Sequence, residues 1–184
     1  MRGRRALRVL GAAGLLVLAV TGYTQVMARL DLVTPPPMAP ADARADLIRV
    51  DKDARRMTLL RDGAPFAAYE ISLRADGDGG PKRREGDERT PEGRYVIDWR
   101  NAGSFAHLSL HVSYPDATDV ARAEAAGDDP GGFIMIHGLP NGWGWLGRLH
   151  LAWDWTDGCI AVSNDHMDVI WASVPNGTPI EIRP

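Results

Sequence analysis

Apolar and polar residues alternate over short stretches through most of this chain, the pattern of strands with one buried face. Residues 46–51, DLIRVD, alternate in this way. RRMTLLRDG and PFAAYEISL follow, with Asp62-Gly63 between them, a dipeptide suited to the left-handed positions of a tight hairpin. RYVIDW (94–99) returns to the strand pattern, as does HLSLHVSY (107–114). In the latter, Leu108, Leu110 and Val112 share one face, and His107, Ser109 and His111 the other. FIMIHG (133–138) reads as a buried strand ending at His137, and TPIEIRP as a last strand.

A helical period is rarer. DATDVARAEAAG (116–127) predicts a short helix stopped by Gly127. Met167, Ile170, Trp171 and Val174 stand at i, i+3, i+4 and i+7 and predict a final helix, with Asp165 as its cap. GDGGPKRREGDERTPEG (77–93) is a loop rich in glycine and charge. GLPNGWGWLGRLHLAWDW (138–155) is an insertion carrying Trp143, Trp145, Trp153 and Trp155. Strands and hairpins dominate, so the pattern predicts a mainly β fold: an antiparallel sheet packed on itself, sandwich-like, with two or three short helices.

The first residues break the pattern. MRGRRALR holds four arginines and no acid, and VLGAAGLLVLAV (9–20) holds no charge. A basic segment before a short apolar run reads as an export signal over residues 1–22, either cleaved or kept as a signal anchor. The run falls short of the roughly 20 residues of a comfortable span, and extending it through TGY makes an anchor. No clear small-residue cleavage site follows, and Arg4-Arg5 is a poor twin-arginine match. Residues 23–44 include VTPPPMAPADAR, a Pro/Ala-rich linker expected to run extended. The globular domain is expected over 45–184.

Export changes the charge balance. The whole chain is −3, from 21 basic and 24 acidic residues. Without residues 1–22 it holds 17 basic residues against 24 acidic ones, or −7. So acidic a domain is repelled by phosphate, which argues against nucleic acid as a partner. Soluble targets or a cell-wall polymer fit better.

Cys159 is the sole cysteine, so it forms no disulfide within the chain. Outside the cytosol such a residue is either buried and inert or a reactive thiol. It follows Gly158, and His137 precedes Gly138; both sit where a loop meets a regular element. A thiolate attacks carbonyls, and an imidazole accepts the thiol proton. Gly158 allows a tight turn with backbone N–H groups aimed at an oxyanion. Cys159 as a small apolar residue and His137 as a satisfied strand end stand beside this reading.

IMIHG and TDGCIAV together resemble the L,D-transpeptidase (YkuD-type) catalytic domain, in which a His-Gly is followed by a loop and then Ser/Thr-His-Gly-Cys. GPKRREGDERTPEGRYVI, SYPD and PGGFIMIHG match the family in order, so the resemblance covers about residues 46–184. It implies the L,D-transpeptidase fold and a periplasmic or wall-facing enzyme, acting on peptidoglycan stem peptides without metal or organic cofactor. By this resemblance Cys159 attacks the diaminopimelate carbonyl at the third stem position and the terminal D-alanine leaves. An amine from another stem, or from a wall-anchored lipoprotein, resolves the thioester. His137 is the implied base, and the Gly138 carbonyl holds its tautomer. The N–H groups of Asp157, Gly158 and Cys159 are the implied oxyanion donors.

Two positions depart from the family pattern: Asp157 stands where most relatives have histidine, and Ala161 where many have arginine or asparagine. TDGCIAV resembles a branch in which some members look like hydrolases that release wall-linked lipoprotein. Hydrolysis by the same Cys-His pair, as an L,D-carboxypeptidase or a peptidase releasing wall-linked lipoprotein, is therefore an alternative, and a non-catalytic wall-binding module is another. An inward Asp157 would raise the thiol pKa; the expectation is that it points instead at a donor and shapes its loop.

Other candidates divide between chemistry and packing. The tryptophan insertion reads equally as a lid or as loop packing, with Trp155, beside Thr156, favoured for substrate contact. Lys82 is a candidate for a stem carboxylate, against the commoner reading of Lys82, Arg83 and Arg84 as a solvated charge run. Asp87, Thr90 and Gly93 are expected to shape the turn before the strand. Gly77, Gly79 and Gly80 form no nucleotide fingerprint, since no helix follows. His107 and His111, about 13 Å apart on a strand, are too far apart for one metal ion.

Overall fold

A computed structural model of the protein describes residues 2–30, 33–74 and 80–184, with side chains from residue 11. Gly77, Gly79 and the side chains of the N-terminal arginines lie outside the described residues.

Among the described residues eight strands form one curled sheet: β1 (Leu47–Asp51), β2 (Arg56–Arg61), β3 (Ala64–Glu70), β4 (Gly93–Asn101), β5 (Ser109–Val112), β6 (Met135–His137), β7 (Ile160–Ala161) and β8 (Pro179–Arg183). Their order is β3-β2-β1-β8-β4-β5-β6-β7. The fold is β-dominated as expected, but the sheet is mixed. β8 runs parallel to β1 and β7 parallel to β6, while the other pairs are antiparallel. The strict antiparallel expectation fails because two connections are long. A parallel return needs a crossover of about a dozen residues or more. The insertion after His137 supplies one, and the helix between β7 and β8 lies in the long return that carries the chain end into the sheet centre.

β4 joins the two halves. Its first residues pair with β8 and its last with β5, and the register shifts between Ile97 and Trp99. The curl nearly closes: Ser72, beyond β3, exchanges both backbone hydrogen bonds with Ala161 of β7, at 2.9 and 3.0 Å. The β2–β3 turn is the expected one, with Asp62 (φ 52°) and Gly63 (φ 75°) both left-handed.

The helices follow the sequence closely. After α1 (Arg2–Met27) comes α2 (Ala117–Ala126), held at its start by a reciprocal cap between Asp116 and Asp119 and ended by left-handed Gly127. In α3 (Asn164–Ser173), Met167, Ile170 and Trp171 are buried, and Val174 beyond it also enters the core. The expected cap is displaced: Ser163 is the N-cap and Asp165 lies in the first turn. Leu108, Leu110 and Val112 are fully buried together with Ile48, Leu59, Ile97 and Ile136.

The proline-rich stretch lies extended against the domain. Ala39 and Ala45 donate to the carbonyls of Ala172 and Ser173, and Arg100 stacks on Trp171 while donating to its carbonyl. The C-terminal end of α1 meets the insertion, where Tyr23 donates to Gly142 O (2.9 Å) and Trp143 Nε1 to Thr24 Oγ1 (3.2 Å). Among the described residues no helix is long and apolar enough to cross a membrane.

Candidate active site

The sheet topology brings Cys159 and His137 onto one face of two neighbouring strands. In the parallel β6–β7 pair, Ile136 faces Ile160 and His137 faces Ala161. Cys159, one residue before β7, therefore lies opposite Met135, two residues from His137. Side chains alternate along a strand, so both point to the same side. The Val162 N–H donates to His137 O and fixes this register.

His137 is buried, and its Nδ1–H donates to the Gly138 carbonyl at 2.6 Å. A carbonyl only accepts, so Nδ1 carries the proton and Nε2 of the neutral ring keeps its lone pair. Burial pushes the imidazole below its ordinary pKa, against the upward pull of that hydrogen bond. The ring is therefore neutral, a base in waiting. Trp155 walls it edge-on at 5.7 Å.

The Gly138 carbonyl is itself held. Its peptide unit continues into the Leu139 N–H, which donates to Asn164 Oδ1 at 2.8 Å. His107 closes the other side: a side chain at residue 138 would lie 2.8 Å from both Asn164 Oδ1 and His107 Cβ. His107 stands at φ 62°, fixed by Asn141 Oδ1 on its N–H and Asp168 on its Nε2. Only glycine fits here, and the clamped peptide aims its carbonyl at the imidazole.

Cys159 sits in an equally tight loop. Gly158 adopts φ 101°, and a Cβ there would lie 2.5 Å from Arg89 O. The Thr90 hydroxyl donates to Gly158 O (3.1 Å), and the Thr156 hydroxyl to Cys159 O (2.7 Å). Behind them, Asp87 gathers its own loop, accepting from Lys82 Nζ and from the N–H groups of Arg83, Arg84 and Arg89. Burial would raise the Asp87 pKa, but these donors together bring it down to about 2. No described acceptor takes a hydrogen bond from the N–H groups of Asp157, Gly158 or Cys159.

Burial raises the thiol pKa most. A Met135 backbone hydrogen bond and the charge of Lys82 lower it, and Asp157 raises it. The thiol donates to Phe133 O at 3.7 Å, and no hydrogen bond joins it to the imidazole. Free enzymes often hold such pairs loosely until substrate tightens them.

Several candidates fall elsewhere than the sequence suggested. Lys82 is no solvated charge: it is 4% exposed, with its ammonium on Asp87 and Arg84 O. Thr156 uses its hydroxyl inside the turn. Asp157 is exposed at the rim of a cleft of about 440 Å³ shared with Lys82, Glu85 and Phe133. It has no described hydrogen-bond partner, so it does not shape the loop through a donor as expected. Trp143, Trp153, Trp155 and His150 line a separate apolar cavity of about 190 Å³, in which Trp155 lies next to His137. His111 pairs with Asp98. Asn164 and His107 escaped notice as site residues; the S-N-D cap beyond Cys159 was a signal for Asn164, while the placement of His107 depends on the fold.

The family model of the L,D-transpeptidase catalytic domain (YkuD) matches residues 45–182, a stretch that holds both Cys159 and His137. The chain belongs to that family. No curated protein matches it. Solved structures with the same fold include Bd1075 of Bdellovibrio bacteriovorus, at 23% identity and a TM-score of 0.52, covering 80% of this chain and 51% of that one. The helical cell shape determining protein Pgp2 of Campylobacter jejuni matches at 20% identity and 0.55, over 87% and 55%. An L,D-transpeptidase from Mycobacterium smegmatis matches at 16% and 0.50, over 75% and 58%. This chain thus spans little more than half the length of those proteins.

Proposed function

We propose that this L,D-transpeptidase-type domain is an exported enzyme that transfers an acyl group between peptidoglycan stem peptides through a thioester on Cys159. The observation that carries the reading is that Cys159 shares one face of two adjacent strands with an imidazole whose tautomer is set by the Gly138 carbonyl.

The chemistry is the one the family resemblance implies, carried by the groups described above. His137 Nε2 takes the thiol proton as sulfur bonds to the carbonyl carbon of the third stem residue. The unengaged N–H groups at 157–159 stabilise the developing oxyanion. Collapse breaks the amide bond, and the terminal D-alanine amine leaves with the proton from the imidazolium. An acceptor amine attacks the thioester, and its proton returns to sulfur through His137. Because thiol and imidazole are both pushed toward neutrality, the resting pair is uncharged and the ion pair forms on the reaction path.

The acceptor is read from charge. Asp157 and Glu85 face the cleft, and an ammonium group is drawn to carboxylates. This supports an amine over water. Incubating the protein with disaccharide-tetrapeptides and weighing the products tests the reading. Cross-linked dimers are expected; tripeptides without dimers would mean hydrolysis, and an unchanged substrate would refute both.

A further inference from the structure

The cysteine occupies one position of a row that crosses four strands. Cys159 lies opposite Met135, Met135 opposite His111 on β5, and His111 opposite Trp99 on β4. All point to the outer face of the sheet. At its far end the row becomes an aromatic platform. Trp99 and His111 stack at 4.8 Å and 17°, and Phe133 meets His111 edge-on at 6.2 Å.

Two properties set this platform apart from ordinary surface. Phe133 is 77% exposed although its backbone is held at φ 56°, a conformation costly for a large side chain. Its carbonyl accepts the hydrogen bond that the thiol donates, so this strained residue joins the platform to the cysteine. Polar groups stand at the other rim, where Asp98 accepts from His111 Nδ1 at 2.6 Å. Stacking covers one face of Trp99 and most of His111, which leaves the outer part of Trp99 and the Phe133 ring exposed beside the Asp98 carboxylate. Exposed aromatic surface beside a carboxylate suits a pyranose ring, whose faces are apolar and whose edge carries hydroxyls.

Spacing selects the ligand. Three interstrand steps of about 4.8 Å put Trp99 about 14 Å from Cys159. Three extended residues span about 10 Å. A stem that acylates Cys159 through its third residue and runs along this row brings its sugar end to the platform, with the next ring within reach of Trp99.

We propose that Trp99, His111 and Phe133 form a saccharide subsite that binds the amino-sugar disaccharide bearing the donor stem. This rests on the function proposed above and adds that the substrate is recognised by its glycan as well as its peptide.

The test uses the full chain with Cys159→Ala and two separate probes: the peptide-free N-acetylglucosaminyl-N-acetylmuramic acid disaccharide, and the sugar-free tetrapeptide. Binding is followed by NMR shift titration. Trp99→Ala is expected to weaken the disaccharide about tenfold more than the tetrapeptide, and Trp99→Phe to restore most of the loss. Shifts at Trp99 and His111 are expected with the disaccharide alone. Equal weakening of both probes, or no disaccharide binding by the parent, overturns the subsite. Trp99-dependent sugar binding by a protein whose Cys159 forms no thioester would keep the subsite and refute the transfer chemistry. A thioester without such binding would do the reverse.

Discussion

The turn that carries Cys159 and the tryptophan insertion that precedes it are neighbours in sequence and opposites in construction. The turn has no slack. Gly158 abuts the Arg89 carbonyl, Thr90 and Thr156 bind its carbonyls, and Asp87 secures the loop behind. The insertion leaves Trp145, Leu149 and Trp153 at least half exposed. Buried Trp155 Nε1 and His150 Nε2 have no described hydrogen-bond partner there. Chemistry that depends on fixed geometry sits on the first kind of structure, and parts that adapt to a ligand belong to the second.

The largest effect is expected where the turn is tightest. Gly158→Ala forces a Cβ into Arg89 O at a φ that suits glycine, costing about 3 kcal/mol. Activity should fall at least about 100-fold and the melting temperature by several degrees. A variant that keeps both would remove rigidity from the comparison.

Asn164 comes next. Asn164→Ala frees the 138–139 peptide and with it the imidazole tautomer. We expect kcat to fall about tenfold or more with KM little changed, and Asn164→Asp, which keeps the acceptor, to recover part of it. The pH profile gives the sign. His137 titrates below the ordinary histidine value, so wild-type activity rises with pH, its acid limb lying below about 6.5. Losing the Gly138 hydrogen bond removes an upward pull and moves that limb lower still. A limb above pH 7 in the wild type would contradict a neutral resting pair.

Asp87 tests the supporting loop. Its folded pKa of about 2 lies below the ordinary 3.8. The stability it adds is present above about pH 4 and is lost as pH falls toward 2. Asp87→Asn should lower stability at neutral pH by about 2 kcal/mol and flatten this part of the acid dependence, as read by urea melts. The smallest effect is expected on the insertion: Trp145→Ser should change stability by less than about 0.5 kcal/mol. A large destabilisation there would erase the contrast.

Much of this was legible beforehand, for local reasons. Alternation revealed the strands, Asp62-Gly63 the hairpin and Gly127 the end of α2, because each signal lies within a few residues of its effect. Strand direction was not legible. That β7 and β8 run parallel to β6 and β1 depends on where two long connections return. Cys159 and His137 stood out by residue type. Asn164 and His107 did not, because their work is done on a peptide bond some 25 to 30 residues away. Lys82 looked solvated in a charged loop, yet its burial follows from Asp87 folding that loop around it.

The central claim is a thioester on Cys159. Intact-mass analysis after rapid acid quench, with disaccharide-tetrapeptide as donor, tests it directly. The account predicts a covalent adduct equal to the donor less its terminal D-alanine, located on Cys159 and absent from Cys159→Ala. Turnover without an adduct, or an adduct that survives that substitution, would contradict it.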